Sequence, residues 1–168
     1  SPTSIPPSAL PEAVRDAAEG AVYEASLAGS EVMTRLARAV SRRGGAILAL
    51  DYGYAETQTG ETLQAVRRHA YADPLDAPGE ADLSAHVDFG ALAAIARTAG
   101  LSVERLASQG DFLKSLGILA RAATLARANP GEAQSVNAAL DRLTGPTQMG
   151  ALFKVFCAHS PGLKPEGF

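Results

Sequence analysis

The residues best able to do chemistry fall between positions 51 and 88. Asp51 and Tyr52 follow the apolar run 46–50 and precede Gly53. In sheets built from parallel strands, ligands bind beyond the carboxyl ends of the strands. A carboxylate and a phenol at such an end face a ligand, and a glycine there permits close backbone approach. The same three residues also read as a plain turn, opened by Asp51 and closed by Gly53. His69, His86 and Asp88 make a second set. An imidazole serves as a base near neutral pH, and a carboxylate can orient it. Asp88 equally suits a helix N-cap, because Phe89 opens an amphipathic stretch. His86 equally suits a hydrogen-bonded structural histidine. His86-Val87-Asp88 lacks the clustered Cys or second nearby His that a metal set requires.

Other polar groups read as scaffold. Glu80 and Asp82 follow Pro78-Gly79 in a turn and suit a solvated loop, although acid–base chemistry is open to such a pair. Arg67-Arg68 suits a solvated helix face. Gln109-Gly110 suits either a site loop or a strand-to-helix turn. Cys157 lies in an apolar run, where a thiol is buried and inert, and His159 reads as incidental. The chain has no G-x-G-x-x-G, no P-loop and no G-x-S-x-G elbow.

These side chains need elements to hold them. Residues 1–19 form a proline-rich linker with a short helix at 11–19, broken by Gly20. Residues 21–25 suit a short strand. Met33, Leu36, Ala37 and Val40 fall on one face of a helix over 31–43 that Gly44-Gly45 ends. The run 46–50 reads as a strand buried on both faces, as in a helix-covered parallel sheet. Residues 54–84 are irregular, with a short helix at 62–69. A helix over 88–98 carries Phe89, Leu92 and Ile95 on one face and stops at Gly100. A strand at 101–108, helices at 111–128 (capped by Asp111) and 132–143, and a strand at 151–158 follow. Residues 20–158 thus form one α/β unit with a tail at 159–168. Its three good strands are few for an open sheet, so the sheet reads as incomplete.

Composition narrows the function. The net charge of −3 gives no electrostatic pull toward nucleic acid or an anionic membrane. No apolar run approaches the ~20 residues of a membrane span. A single cysteine permits no internal disulfide and fits a reducing compartment. No signal peptide is expected. The exposed edge of the first strand is expected to invite self-association.

Several segments together resemble one family. Residues 44–54 are similar to its "GGxxLxxDYGY", and residues 60–69 to "GDTLQAVRxH". Residues 78–89 are similar to "PGEADLTAHVDF", residues 109–121 to "QGxFLxxLGIxxR" and residues 149–155 to "MGxLFKV". Glu24-Ala25-Ser26 stands where members have "VExSP". The match spans about residues 20–158, with Glu61 for Asp, Ser84 for Thr and Leu27 for Pro as departures. The chain is identified as a member of the MidA-like class I methyltransferases, whose mitochondrial members methylate arginine and assist respiratory complex I assembly. The resemblance implies S-adenosyl-L-methionine as cofactor, a protein substrate such as a complex I subunit, and a bacterial-cytoplasmic or mitochondrial-matrix setting. It implies a Rossmann-like seven-stranded sheet in which this chain supplies strands five to seven, the last antiparallel. The family's glycine-rich cofactor loop is not in these residues. Asp51, Tyr52, His69, His86 and Asp88 become the expected catalytic set. The rival expectation is a non-catalytic assembly or interaction module built on the same fold.

Overall fold

The computed structural model describes residues 6–168. Residues 1–5 of the proline-rich segment therefore lie outside the described residues. A short helix, α1 (Glu12–Arg15), buries Val14. Residues 21–25 form no strand, although the Val22 carbonyl accepts a hydrogen bond from Gly60 N at 2.8 Å.

Helix α2 (Leu27–Arg43) starts four residues earlier than its apolar periodicity suggests, because Ser26 caps it. The Ser26 hydroxyl accepts from Gly29 N at 3.1 Å, satisfying one of the helix's orphan donors. Met33 and Ala37, one turn apart, are its buried residues. Gly44 and Gly45 end it with φ of +76° and +118°, which a side chain would resist. Strand β1 (Ala46–Tyr54) follows and runs past the apolar segment through Asp51 and Tyr52.

The region 54–84 is not an irregular loop with a helix. It holds a second, antiparallel sheet of β2 (Gln64–Arg67), β3 (Ala70–Ala72) and β4 (Asp82–Ser84), in the order β3-β2-β4. Arg68 and His69 make the two-residue turn between β2 and β3, both with positive φ (52° and 64°). Such turns favour Asn and Gly, so an Arg-His pair conceals the hairpin in the sequence. Arg67 is therefore a strand residue, paired at 3.7 Å with Asp76.

Strand β5 (Val87–Asp88) leads into α3 (Phe89–Thr98), and Gly100 turns the chain with φ of +81°. The expected strand at 101–108 is two short pieces, β6 (Ser102–Val103) and β7 (Ala107–Ser108). The helix expected over 111–128 is two, α4 (Gln109–Ser115) and α5 (Ile118–Ala128), separated where Gly117 adopts φ of +85°. Ser108, not Asp111, caps α4: its hydroxyl accepts from Asp111 N at 3.1 Å and donates to Asp111 Oδ2 at 2.8 Å. Gln109 and Gly110 are buried against α6 (Ala133–Thr144), where Gln109 Nε2 donates to the Leu143 carbonyl at 2.9 Å. Helix α7 (Met149–Leu152) precedes β8 (Phe153–His159).

The main sheet has the order β5-β1-β8-β6, with β7 also on β8. β8 is antiparallel to β1 from Ala46↔His159 to Tyr52↔Phe153. β5 is parallel to β1 but touches only its last two residues, Gly53↔Val87 and Tyr54↔Asp88. The expected α/β fold with flanking helices is thus present. Its core joins Met33 and Ala37 of α2, Phe89, Ala93 and Ala96 of α3, and Phe156 and Ala158 of β8. Phe89 and Phe156 stack with ring centroids 5.9 Å apart. The alanines let helix backbones approach the sheet closely, and Ala37 and Ala96 are fully buried. His159 is not incidental. It is 4% exposed, and its ring nitrogens lie 2.9 Å from Glu104 Oε1 and 3.0 Å from the Ser160 carbonyl. The buried Cys157 thiol is pushed up in pKa by burial and then by Glu104's charge, so it stays protonated.

Candidate functional site

Polar side chains converge where β1 ends. The parallel register sets Tyr54 beside Asp88, so the last residue of β1 meets the residue that starts α3. Asp88 caps α3: Oδ1 accepts from Ala91 N at 2.8 Å. Its other oxygen, Oδ2, is buried and has no hydrogen-bond partner among the described residues. Two phenols feel this carboxylate. Burial, and then Asp88's negative charge, raise the Tyr23 pKa. The same causes raise Tyr54, with smaller contributions from Glu24 and Tyr23. Both phenols therefore stay protonated and able to donate well above neutral pH.

Glu24 binds the neighbouring loop. Its Oε1 accepts from Thr62 N at 3.0 Å and from Leu63 N at 2.9 Å, and its Oε2 accepts from the Thr62 hydroxyl. That hydroxyl accepts in turn from His86 N at 2.9 Å. Burial pushes the Glu24 pKa up, but the bonds from Thr62 and Leu63, with His86 nearby, outweigh it and hold the carboxyl below its ordinary value.

The glycines here serve packing. A Cβ on Gly53 would run into the Val87 carbonyl and stand 2.8 Å from the Phe89 ring. A Cβ on Gly90 would lie 2.8 Å from Thr57 N. The chain itself fills the space that Gly53 leaves, which corrects its reading as a point of close ligand approach.

The five expected residues separate into groups. His86 and Asp88 fall within the cluster of Glu24, Thr62, Tyr23 and Tyr54. Asp51 and Tyr52 lie inside β1, three and two residues before its end, so the premise that the strand stops at Leu50 is corrected. Asp51 is exposed and accepts from Tyr52 N at 2.8 Å. Tyr52 packs on Phe153 with ring centroids 4.1 Å apart. His69 is exposed on the β2–β3 turn. A cavity of about 730 Å³ on the second sheet is lined by Arg67, Arg68, Glu80 and Asp82 among others, and Asp88 is not in its lining. Sequence alone assigns no role to Glu24, Thr62, Tyr23 or Tyr54. The signal for Glu24 and Thr62 is their place inside the quoted motifs. Tyr54 also closes a quoted motif, but its place beside Asp88 requires the β1–β5 register, and Tyr23 requires the fold altogether. Among the described residues, no group of three or more His, Cys, Asp or Glu could hold a metal ion, and no helix is long and apolar enough to cross a membrane.

Residues 1–107 match the family described as "Putative S-adenosyl-L-methionine-dependent methyltransferase". The chain belongs to this family. It is 38% identical to the Drosophila melanogaster protein arginine methyltransferase NDUFAF7 homolog, mitochondrial, covering 83% of this chain and 32% of the relative. It is 35% identical to the Homo sapiens protein arginine methyltransferase NDUFAF7, mitochondrial, covering 74% and 28%. A crystal structure from Burkholderia thailandensis with S-adenosyl-homocysteine bound superposes with a TM-score of 0.67 at 27% identity, covering 80% of this chain and 37% of that one. The chain spans about a third of the length of the curated relatives it matches.

Proposed function

We propose that this chain forms the substrate-side wall of an S-adenosylmethionine-dependent methyltransferase that modifies arginine in a protein, with Asp88 and His86 meeting the substrate. The observation that carries this reading is Asp88 Oδ2, a buried carboxylate oxygen without a hydrogen-bond partner among the described residues. Leaving such an acceptor unmet costs about 1–3 kcal/mol. A planar guanidinium, with N–H groups in a fixed fork, is the donor that best matches a carboxylate. Tyr23 and Tyr54, kept protonated, add neutral donors beside it. Methylation of a guanidinium nitrogen releases one proton, and His86, two residues before Asp88, is the base assigned to take it. Asp51 and Tyr52 support β1 beneath this cluster. His69, on its exposed turn, faces the body of the protein substrate rather than the reacting nitrogen.

S-adenosylmethionine supplies an electrophilic methyl group on a sulfonium. The chain has no glycine-rich cofactor loop, and the space at Gly53 and Gly90 is taken by the chain's own backbone and the Phe89 ring. The cofactor loop then belongs to parts of the protein beyond these residues, in keeping with the third of its relatives that the chain spans. The antiparallel β8 between β1 and β6 supports numbering β1, β6 and β8 as strands five, six and seven of the complete sheet. The family resemblance favours a respiratory complex I subunit as substrate, in the mitochondrial matrix or a bacterial cytoplasm.

The test is Asp88→Asn in the complete protein. Asparagine caps a helix as well as aspartate does, so α3 is retained while the charge is lost. Loss of a charged hydrogen bond, about 1.5–3 kcal/mol, lowers kcat/KM on an arginine peptide roughly 10- to 150-fold. Unchanged turnover overturns the reading.

A further inference from the structure

Glu24 carries a carboxylate in the cluster, yet its hydrogen bonds argue against a chemical role. A carboxylate has about four lone-pair positions. Three are taken, by Thr62 N, Leu63 N and the Thr62 hydroxyl. All three donors sit 38 or 39 residues along the chain, so the bonds are tertiary ties. A fourth bond, from Gly60 N to the Val22 carbonyl, fastens the same two segments. The Thr62 hydroxyl has one proton, and that proton is given to Glu24. Its lone pairs are therefore free to accept from His86 N, which they do at 2.9 Å. The direction of each bond is fixed by the one before it.

We infer that Glu24 is a positioning residue, which through Thr62 sets the backbone of His86 and thereby the approach to Asp88. His86 is exposed and has only two residues between it and the start of α3. The tie from Thr62 is made to the His86 backbone N, and the His86 side chain makes no hydrogen bond of its own among the described residues. Glu24 neither touches the substrate nor takes its proton. The lowered pKa of Glu24 agrees, since the carboxylate remains an acceptor throughout the neutral range.

The activity arm of the test rests on the methyltransferase reading, and the exchange arm does not. Both use the complete protein. Amide hydrogen exchange reports local opening of the tie. In Glu24→Gln, the Leu63 and His86 amides exchange at least about tenfold faster than in the parent, while the Ala91 amide capped by Asp88 is unchanged. Thr62→Ala produces the same change at His86, and Thr62→Ser, which keeps the hydroxyl, recovers most of its protection. In the activity arm, Glu24→Gln and Thr62→Ala each lower kcat about tenfold, and the double variant loses little more, because both cut one chain of bonds. The pH–rate profile keeps its acidic limb in Glu24→Gln. Unaltered His86 exchange in Glu24→Gln, or loss of that acidic limb, overturns the inference. A parent protein that transfers no methyl group overturns the methyltransferase reading instead, and the exchange data still decide the role of Glu24.

Discussion

Asp88 divides its two carboxylate oxygens between two tasks. Oδ1 holds the first turn of α3, and Oδ2 stays unpartnered beside two phenols. The phenols give this charge an optical readout. Tyr23 and Tyr54 are raised by burial first and by Asp88 second, whereas Tyr71 is 80% exposed. Alkaline titration followed by tyrosinate absorbance should show two late phenols in the parent. Asp88→Asn should move both toward the ordinary value without fully restoring it, since burial remains. Two unmoved phenols would show that the Asp88 charge does not reach them. Glu24 has the opposite sign. Its folded pKa lies below the unfolded one, so its stabilisation is complete above the unfolded value and is lost as pH falls through the folded one. Thermal melts should therefore lose more stability between neutral and acidic pH in the parent than in Glu24→Gln. Equal slopes in the two proteins would remove Glu24 from the acid response.

Two elements place this cluster, and both depend on glycine for contact rather than for flexibility. Gly53 lets β1 approach β5 and the Phe89 ring, so Gly53→Ala drives a methyl into the Val87 carbonyl. Overpacking of this kind costs about 1–3 kcal/mol, and chemical denaturation measures it. Gly60→Ala is the control, since a Cβ there meets nothing nearer than Thr62 Cγ2 at 3.9 Å, and it should stay within about 0.5 kcal/mol of the parent. Equal losses at the two positions would refute the packing argument. The elements also show what a sequence can disclose. Helix α2, helix α3 with its Asp88 cap, and the apolar part of β1 are legible because periodicity and caps are local signals. The β2–β3 hairpin is not, because its turn spends left-handed backbone on Arg68 and His69 where Asn-Gly would have announced it. The α4–α5 break is marked only by Gly117, and a lone glycine inside an apolar helical pattern is ambiguous. The candidate site is half legible for a related reason. His86 and Asp88 stand out by type, while Glu24 and Thr62 stand in quoted motifs but gain a role when segments 38 residues apart are joined.

At the scale of the whole molecule, the sheet is open on one side. Among the described residues, the outer edge of β1 is paired only at Gly53 and Tyr54. Leu48 and Leu50, on the same strand, are 52% and 42% exposed. An unpaired edge with apolar side chains is a template for another strand. The 168-residue chain by itself should therefore self-associate as concentration rises, and Leu48→Lys with Leu50→Glu should suppress this. Light scattering decides, and a parent chain that remains monomeric at high concentration refutes the expectation.

The order of strands also has a consequence for synthesis. Among the described strands β8 is the last to be synthesised, yet it sits in the middle of the sheet, with β1 on one side and β6 and β7 on the other. Until residues 153–159 emerge, those strands have no shared neighbour, and the apolar faces of α2 and α3 have no Phe156 to close on. Leu50 must then find Val155, more than half the chain away, a closure with a high entropic cost. A nascent chain stalled before Phe153 would leave α2 and α3 without Phe156 and Ala158, and chaperone demand should fall once residues 153–159 emerge.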